Sequence, residues 1–358
     1  MIKISIVTVY NSLNYGGYLQ AYALNQILKQ VGGHVSFLET KARNPLRETL
    51  RSTIEKLLSF KFRNAIFLVK KYLCLREAVN MFTICSTEVS LREQDIFVFG
   101  SDEIWNISRK KIRDYPVFLG VGIPDSYLVS YAVSINTTEL KQIKEHNFFI
   151  DSIEKFNKIS VRDEHTLNTI KSAIAKDISL VLDPTFLLSR DTYDLLEEDC
   201  AEKDYVLIYS YGDKMNEEKI KQIKSFAKSK AMKLISVGFY LEWCDKSMAV
   251  SPFLFLSYIK KASFIITDTF HGTVFSIIYN KPFVAYGGNS TKINEVLKQF
   301  GLETRNAQDE TVLKSIFETS INYKDVNVLI ETYKNASFEY IHSFVEDYKA
   351  SVISKNLE

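Results

Sequence analysis

The sequence predicts an α/β protein made of two Rossmann-like, doubly wound domains that face a cleft. Three observations predict it. Short apolar strand patterns alternate with amphipathic helix patterns almost throughout, as in parallel sheets flanked by helices. The alternation falls into two sets that meet near residues 184–204. The chain's 358 residues are long for one core and comfortable for two domains.

The elements follow in order. Lys3–Val9 is predicted as a strand, and Tyr18–Val31 as a helix with Leu24, Ile27, Leu28 and Val31 on one face. A strand is expected at Val35–Leu38, mostly helix over 46–80, and a strand at Asp95–Phe99 running into Gly100-Ser101-Asp102. Tyr127–Val133 is the next strand, with a helix near 139–157. Ile159–Val161 is a short strand stopped at Arg162-Asp163, and 164–175 is helical. Leu180–Leu182 is a strand ending at Asp183-Pro184, since proline cannot donate to a ladder. In the second set, strands at Tyr205–Tyr211, Lys233–Val237, Phe264–Thr267 and Phe283–Tyr286 alternate with helices. Those helices are expected at Asn216–Ala231, Phe253–Ala262, His271–Tyr279 and Ile293–Phe300. Residues 325–355 read as one or two helices. The implied domains are 1–184 and 185–325, followed by C-terminal helices over 326–358.

Composition is that of a soluble globular protein, 46% hydrophobic and 25% charged. The 20 Tyr and 24 Phe suit large cores first and sugar stacking second. Cys74, Cys85, Cys200 and Cys244 have neither zinc-knuckle nor redox spacing, so reduced thiols in a cytoplasmic protein are expected. No His/Cys/Asp cluster has metal-ligand spacing, and no metal is expected. There is no signal-peptide pattern, and no apolar stretch of about 18 residues that would span a membrane. Residues 41–76 hold ten Lys/Arg against Glu48 and Glu55, so this segment is +8 and the remainder −6. Apolar residues such as Leu50, Ile54, Leu58 and Ile66 interleave with the cations. The segment reads either as a basic amphipathic surface for an anionic membrane or as a solvated helix packed on the body. Without a general basic excess or a binding motif, nucleic acid is not an expected partner.

The most informative stretch is Thr267 to Ile278, an apolar strand end, a polar turn carrying His271, and an apolar helix. Ligands bind where such turns leave the carboxyl ends of strands, and a helix N-terminus suits an anion. His271 is therefore a candidate proton donor, the alternative being a histidine that only caps the helix. A second turn, Asn14-Tyr15-Gly16-Gly17, puts paired glycines before a helix, where a ligand could approach backbone N–H groups. Further turns after apolar strands are Gly100 to Asn106, Ser130 to Ser134, Ser160 to Asp163 and Leu182 to Thr185.

In these motifs the chain resembles the polysaccharide pyruvyl transferase family. The matches are Asn14-Tyr15-Gly16-Gly17 with Leu19 to Leu24, Gly100-Ser101-Asp102-Glu103-Ile104-Trp105-Asn106, and Asp268-Thr269-Phe270-His271-Gly272 with Lys281-Pro282-Phe283. The resemblance implies a GT-B-like fold, with the N-terminal domain on the acceptor side, the C-terminal domain on the donor side, and the last helices bracing the N-terminal domain. It implies transfer of a pyruvyl group from phosphoenolpyruvate, a substrate rather than a cofactor, to a surface-polysaccharide sugar or its lipid-linked precursor, as a cyclic ketal. A lipid-linked acceptor would bring the enzyme to the inner membrane face. The family often has glutamine at Glu103, and many relatives carry arginine near Ser290-Thr291-Lys292 or at Thr269.

Ketal formation needs a proton on the methylene of phosphoenolpyruvate, deprotonation of two hydroxyls, and a hold on carboxylate and phosphate. His271 is assigned the proton, or the departing phosphate. Arg162, whose planar fork pairs two oxygens, is assigned the donor anion with Phe270, Gly272, Thr273 and Lys292. Asp102 is the candidate general base, or else an N-cap for residues 103–107. Asn14, Tyr15, Gly16, Gly17 and Trp105 are assigned to the acceptor, with a buried role for Trp105 as the alternative. Asp183 is read as a turn acid. The competing functions are a nucleotide-sugar glycosyltransferase of GT-B type and a non-catalytic glycan-binding or scaffold protein.

Overall fold

Two all-parallel sheets carry the molecule. The computed structural model describes residues 1–40, 44–86, 91–124, 126–212, 215–288, 290–307 and 313–355. The first sheet contains β1 (Ile2–Val7), β2 (Gly33–Leu38), β3 (Ile84–Cys85), β4 (Ile96–Asp102), β5 (Tyr127–Val133), β6 (Ile159–Val161) and β7 (Ile178–Leu180). Its spatial order is β3-β2-β1-β4-β5-β6-β7. The second contains β8 (Tyr205–Tyr209), β9 (Lys233–Val237), β10 (Lys246–Met248), β11 (Phe264–Thr267) and β12 (Phe283–Ala285), ordered β10-β9-β8-β11-β12. Each sheet reverses its order beside its first strand, between β1 and β4 and between β8 and β11. These are the switch points at which the loops leaving parallel strands part and open a crevice.

The helices used below are α1 (Tyr15–Gln30), α2 (Pro45–Leu58), α3 (Phe62–Val79), α4 (Glu164–Lys171), α5 (Pro252–Lys261), α6 (Phe270–Ile278), α7 (Thr291–Gln299) and α8 (Tyr323–Lys355). The central strands are buried on both faces, β8 at all five positions, so they read as continuous apolar runs. One large core joins the facing sides of the two sheets, with Leu24 and Tyr131 in the same cluster as Phe255 and Phe275. Separate cores lie beneath the far face of each sheet. The long α8 starts against the second sheet, where the Tyr323 hydroxyl donates to the Lys281 carbonyl. It then runs back over the first: the Tyr340 hydroxyl donates to the Ser130 carbonyl at 2.8 Å and the Tyr348 hydroxyl to Asp95 at 2.7 Å. Among the described residues no helix is long and apolar enough to cross a membrane.

The differences from the expected elements are local. β3 and β10 are edge strands of two and three residues, too short to show a period. The helix expected near 139–157 breaks at His146 into Leu140–Glu145 and Asn147–Ile153. The strand expected at Leu180–Leu182 lies at Ile178–Leu180. The basic segment 41–76 is a helical hairpin, α2 and α3; its Lys41 and Arg43 lie outside the described residues. Lys71, counted in sequence with the basic face, is buried on the inner side of α3.

Candidate active site

The site forms where the two switch points meet. At the end of β4 the chain passes through Gly100, φ +123°, where a Cβ would lie 2.0 Å from the Tyr131 carbonyl oxygen. No other residue fits there. The next turn carries Asp102 in a left-handed conformation, φ +78°. No helix begins at residues 103–107, so Asp102 is not an N-cap. Its carboxylate instead faces Arg162, at 3.4 Å from Nη2.

Arg162 follows β6 and is the pivot of the cluster. Its side chain is 3% exposed, Nη1 donates to Asp183 at 2.9 Å, and its guanidinium lies 4.4 Å above the Phe270 ring. Burial alone would make Arg162 easier to deprotonate. The carboxylates of Asp183, Asp102 and Asp163 outweigh that and hold it above the ordinary arginine range. Asp183 is equally buried and accepts from the Thr185 backbone N–H at 3.1 Å and the Thr185 hydroxyl at 2.7 Å. Burial works against its charge, but His271, Arg162 and Thr185 hold its carboxyl well below the usual range.

His271 comes from the second sheet. Thr269 caps α6 by accepting from the Gly272 N–H at 3.0 Å, which fixes the turn and places His271 in the first helical turn. Nε2 of His271 lies 3.7 Å from Asp183, close to the carboxylate but too long for a hydrogen bond. Asp268 accepts from the Ser210 hydroxyl at 2.7 Å and the Tyr211 N–H at 3.1 Å, tying the ends of β8 and β11 together. Gly272 has no room for a side chain, since a Cβ would lie 2.1 Å from the Thr267 hydroxyl. Thr273 donates its hydroxyl back to the Thr269 carbonyl at 3.1 Å. The chain Asp102–Arg162–Asp183–His271 thus links three loops of the first sheet to α6 of the second.

A second ion pair closes over this chain. Lys292, on α7, pairs with the buried Glu103, which also meets Arg109 at 3.0 Å. Burial pushes Glu103 up, but Lys292 and Arg109 win and bring its pKa to about 2. The Glu295 carboxylate, also on α7, accepts from the N–H groups of Glu164 at 2.9 Å and His165 at 3.2 Å, at the start of α4. Between these contacts lies a cavity of about 220 Å³ walled by Arg162, Asp183, Phe270, Lys292, Phe186 and Val296.

The acceptor assignments need correction. The N–H groups of Gly16 and Gly17 are taken by Asn14 Oδ1, at 2.9 and 3.4 Å, so they are capped and not open to a ligand. Gly16 is small because His271 is there: a Cβ would sit 2.3 Å from the imidazole. Tyr15 is buried, and its hydroxyl exchanges hydrogen bonds with Val250 at 2.9 and 3.1 Å, stapling the two sheets together. Trp105 is wholly buried between Phe149 and Phe156, and its Nε1 donates to the Phe118 carbonyl at 3.0 Å. It is core and offers no sugar platform. Asn14 does face the cleft, donating from Nδ2 to the half-exposed Tyr211 hydroxyl at 3.3 Å.

Sequence reasoning missed Asp183 as the hub and missed Tyr211 and Glu295. The one available signal for Asp183 was its position directly after an apolar strand, shared with Asp102 and Arg162.

The family model for polysaccharide pyruvyl transferase matches residues 14–290. No curated protein sequence matches the chain significantly. Among solved structures, UDP-GlcNAc 2-epimerase from Neisseria meningitidis bound to UDP-GlcNAc superposes with a TM-score of 0.54 at 11% identity, covering 97% of this chain and 100% of that one. UDP-GlcNAc 2-epimerase from Methanocaldococcus jannaschii gives 0.53 at 11%, covering 90% and 93%. An α-glucosyltransferase in complex with UDP gives 0.50 at 10%, covering 99% and 100%. At such identities the likeness is one of fold, a two-domain GT-B-like α/β architecture. The family match spans the Asn14 turn, the Asp102–Arg162–Asp183–His271 chain and β12, and so this chain belongs to the polysaccharide pyruvyl transferase family, a family of transferases.

Proposed function

We propose that the enzyme moves a pyruvyl group from phosphoenolpyruvate to two hydroxyls of a glycan, forming a cyclic ketal and releasing inorganic phosphate. The observation that carries this reading is the Asp102–Arg162–Asp183–His271 chain, which lies within the residues the family model matches. The donor's carboxylate and phosphate would enter the cavity beside Arg162 and Lys292, two cations held in place by carboxylates. His271 would protonate the methylene carbon, which makes the central carbon electrophilic. One acceptor hydroxyl adds there and loses its proton to Asp102, the acid of the chain that is partly open to solvent at 32% exposure. The second hydroxyl displaces phosphate and closes the ring, its proton leaving with the phosphate. Asp183 would hold Arg162 and His271 in register and take no proton, since its carboxyl stays ionised. The acceptor would be a surface polysaccharide or its lipid-linked precursor, met at the inner membrane face from the cytoplasm.

The likeness to UDP-bound enzymes supports a second reading, a nucleotide-sugar glycosyltransferase, although fold alone does not assign function. Thermal shift with phosphoenolpyruvate and with UDP-GlcNAc separates the two. The deciding assay is phosphate release from phosphoenolpyruvate in the presence of glycan acceptors, with mass spectrometry of the product. Stabilisation by UDP-GlcNAc alone, with phosphoenolpyruvate left intact, defeats the pyruvyl reading.

A further inference from the structure

The outer side of the α2–α3 hairpin is covered by no other part of the described chain. The two helices pack on each other, and α3 turns Ala65, Phe67, Lys71, Leu75 and Ala78 inward. Phe67 meets Tyr240 with ring centroids 5.7 Å apart, so the hairpin is seated against both halves of the molecule. Outward, Leu50, Ile54, Leu58 and Ile66 are 53%, 54%, 75% and 69% exposed. Single exposed leucines mean little, but a contiguous set on adjoining turns marks an interaction surface. Around them stand the exposed cations Arg47, Lys61, Arg63 and Lys70.

The tip of the hairpin is the sharpest feature. Phe60 is 81% exposed and holds a left-handed backbone conformation, φ +56°. A bulky residue is disfavoured there, and glycine would be easier. Phe62 lies beside it, 55% exposed, with ring centroids 6.3 Å apart. That turn closes α2, with the Phe60 N–H donating to the Leu57 carbonyl at 3.0 Å and the Lys61 N–H to the Lys56 carbonyl at 2.8 Å, so the backbone answers to the helix end. The two wet rings answer to nothing among the described residues.

We infer that the α2–α3 hairpin docks on an anionic membrane surface, with Phe60 and Phe62 entering the headgroup layer and the cations facing lipid phosphates. Such a surface offers both a negative potential and an apolar layer beneath it, which matches this mixture of side chains. A second copy of the chain is a poor occupant, because a two-fold contact would set Arg47, Lys61, Arg63 and Lys70 against their own copies. The inference deepens the lipid-linked acceptor of the proposed function but does not depend on the chemistry.

The test is co-sedimentation of the full chain with vesicles of phosphatidylglycerol and phosphatidylcholine, against vesicles of phosphatidylcholine alone. Binding is expected only to the anionic vesicles and only at low salt. Each cation near an anionic leaflet is worth about fivefold in partitioning, so the combined variant Arg47→Glu, Lys61→Glu, Arg63→Glu, Lys70→Glu should bind at least about 100-fold less. Phe60→Gly is the sharper variant. It removes the apolar tip and relieves the backbone, so vesicle binding should fall while the thermal midpoint rises; a packing role for Phe60 predicts a lower midpoint. A wild-type protein that stays in the supernatant with anionic vesicles at low salt overturns the inference. Binding that survives the four reversals, or a dimer in light scattering that Phe60→Gly dissolves, does so as well. No arm measures pyruvyl transfer, so a failure here and a failure of the proposed reaction are read separately.

Discussion

Gly16 packs against the His271 ring so closely that a Cβ at residue 16 would lie 2.3 Å from the imidazole. The first helix of one sheet and the first turn of α6 therefore define each other's position at the cleft. Gly16→Ala puts a methyl group into a space already filled, and the backbone on one side and the buried ring on the other leave little to yield. The ring must move. A misplacement near 1 Å at a reacting group costs about 10²-fold. We expect Gly16→Ala to lose transfer by at least about that factor with secondary structure intact by circular dichroism. Turnover within a few-fold of wild type would show that His271 is free to relax.

His271 and Asp183 should separate under mutation although they touch. His271→Ala removes a ring from the cleft wall and is expected to lower turnover by about 10²–10⁴-fold, the range of general acid–base catalysis, with little change in thermal midpoint. Asp183→Asn strips the closest carboxylate from a buried guanidinium, and breaking such a pair costs about 3–5 kcal/mol. A large fall in midpoint is the expected result for Asp183→Asn. Two midpoints equally unchanged would contradict the role of Asp183 as the hub that holds Arg162.

Most of the fold was legible in the sequence because parallel strands buried on both faces, such as Tyr205–Tyr209 and Phe264–Thr267, write themselves as apolar runs between helical periods. The short edges β3 and β10 were not, since two or three residues carry no period. Within the site, Arg162 and His271 were legible from motif and position. Asp183 was not, because a carboxylate before proline looks like any turn, and its partners Arg162 and His271 arrive from distant parts of the chain. Trp105 misled for the complementary reason: a tryptophan in a motif says nothing of burial, and here it fills the core between Phe149 and Phe156.

The Glu103–Lys292 pair joins the β4 turn to α7, so it should act as a clasp on the cleft. Single variants Glu103→Gln and Lys292→Met and their double are expected to show coupling of about 0.5–3 kcal/mol in unfolding free energy. The sign of the pH effect follows from the depressed carboxyl. Its contribution is fully present above the ordinary value of 4.5 and lost as pH falls through about 2. Wild type should lose roughly 3 kcal/mol more than Glu103→Gln over that window. Parallel acid-unfolding curves for the two proteins would remove the pair from the account of stability.

Lys71, on the inner side of α3, gives a pH effect of the same direction, but from a charge that the fold disfavours. Its ammonium is buried, 4.6 Å from the Phe239 ring centroid and 5.4 Å from that of Tyr15, and it forms no ion pair among the described residues. Two aromatic faces offset only part of the lost hydration of a cation. Burial accordingly lowers its pKa from 10.5 to about 7. A lysine whose pKa is depressed in the fold binds fewer protons there than in the unfolded chain between those two values, so stability rises with pH across that window. The stability is present above 10.5 and lost as pH falls through about 7. The full swing is on the order of 4 kcal/mol. Lys71→Met keeps the length of the side chain, removes the charge, and should raise the thermal midpoint at pH 7 while flattening the rise toward higher pH. The measurement is the midpoint of both proteins from pH 6 to pH 10, with the exposed Lys70→Met as the control that should leave the profile unchanged. A lower midpoint for Lys71→Met at pH 7, with the alkaline rise intact, would mean that the ammonium stabilises the junction between Tyr15 and Phe239 and that the cation–π contacts outweigh its desolvation.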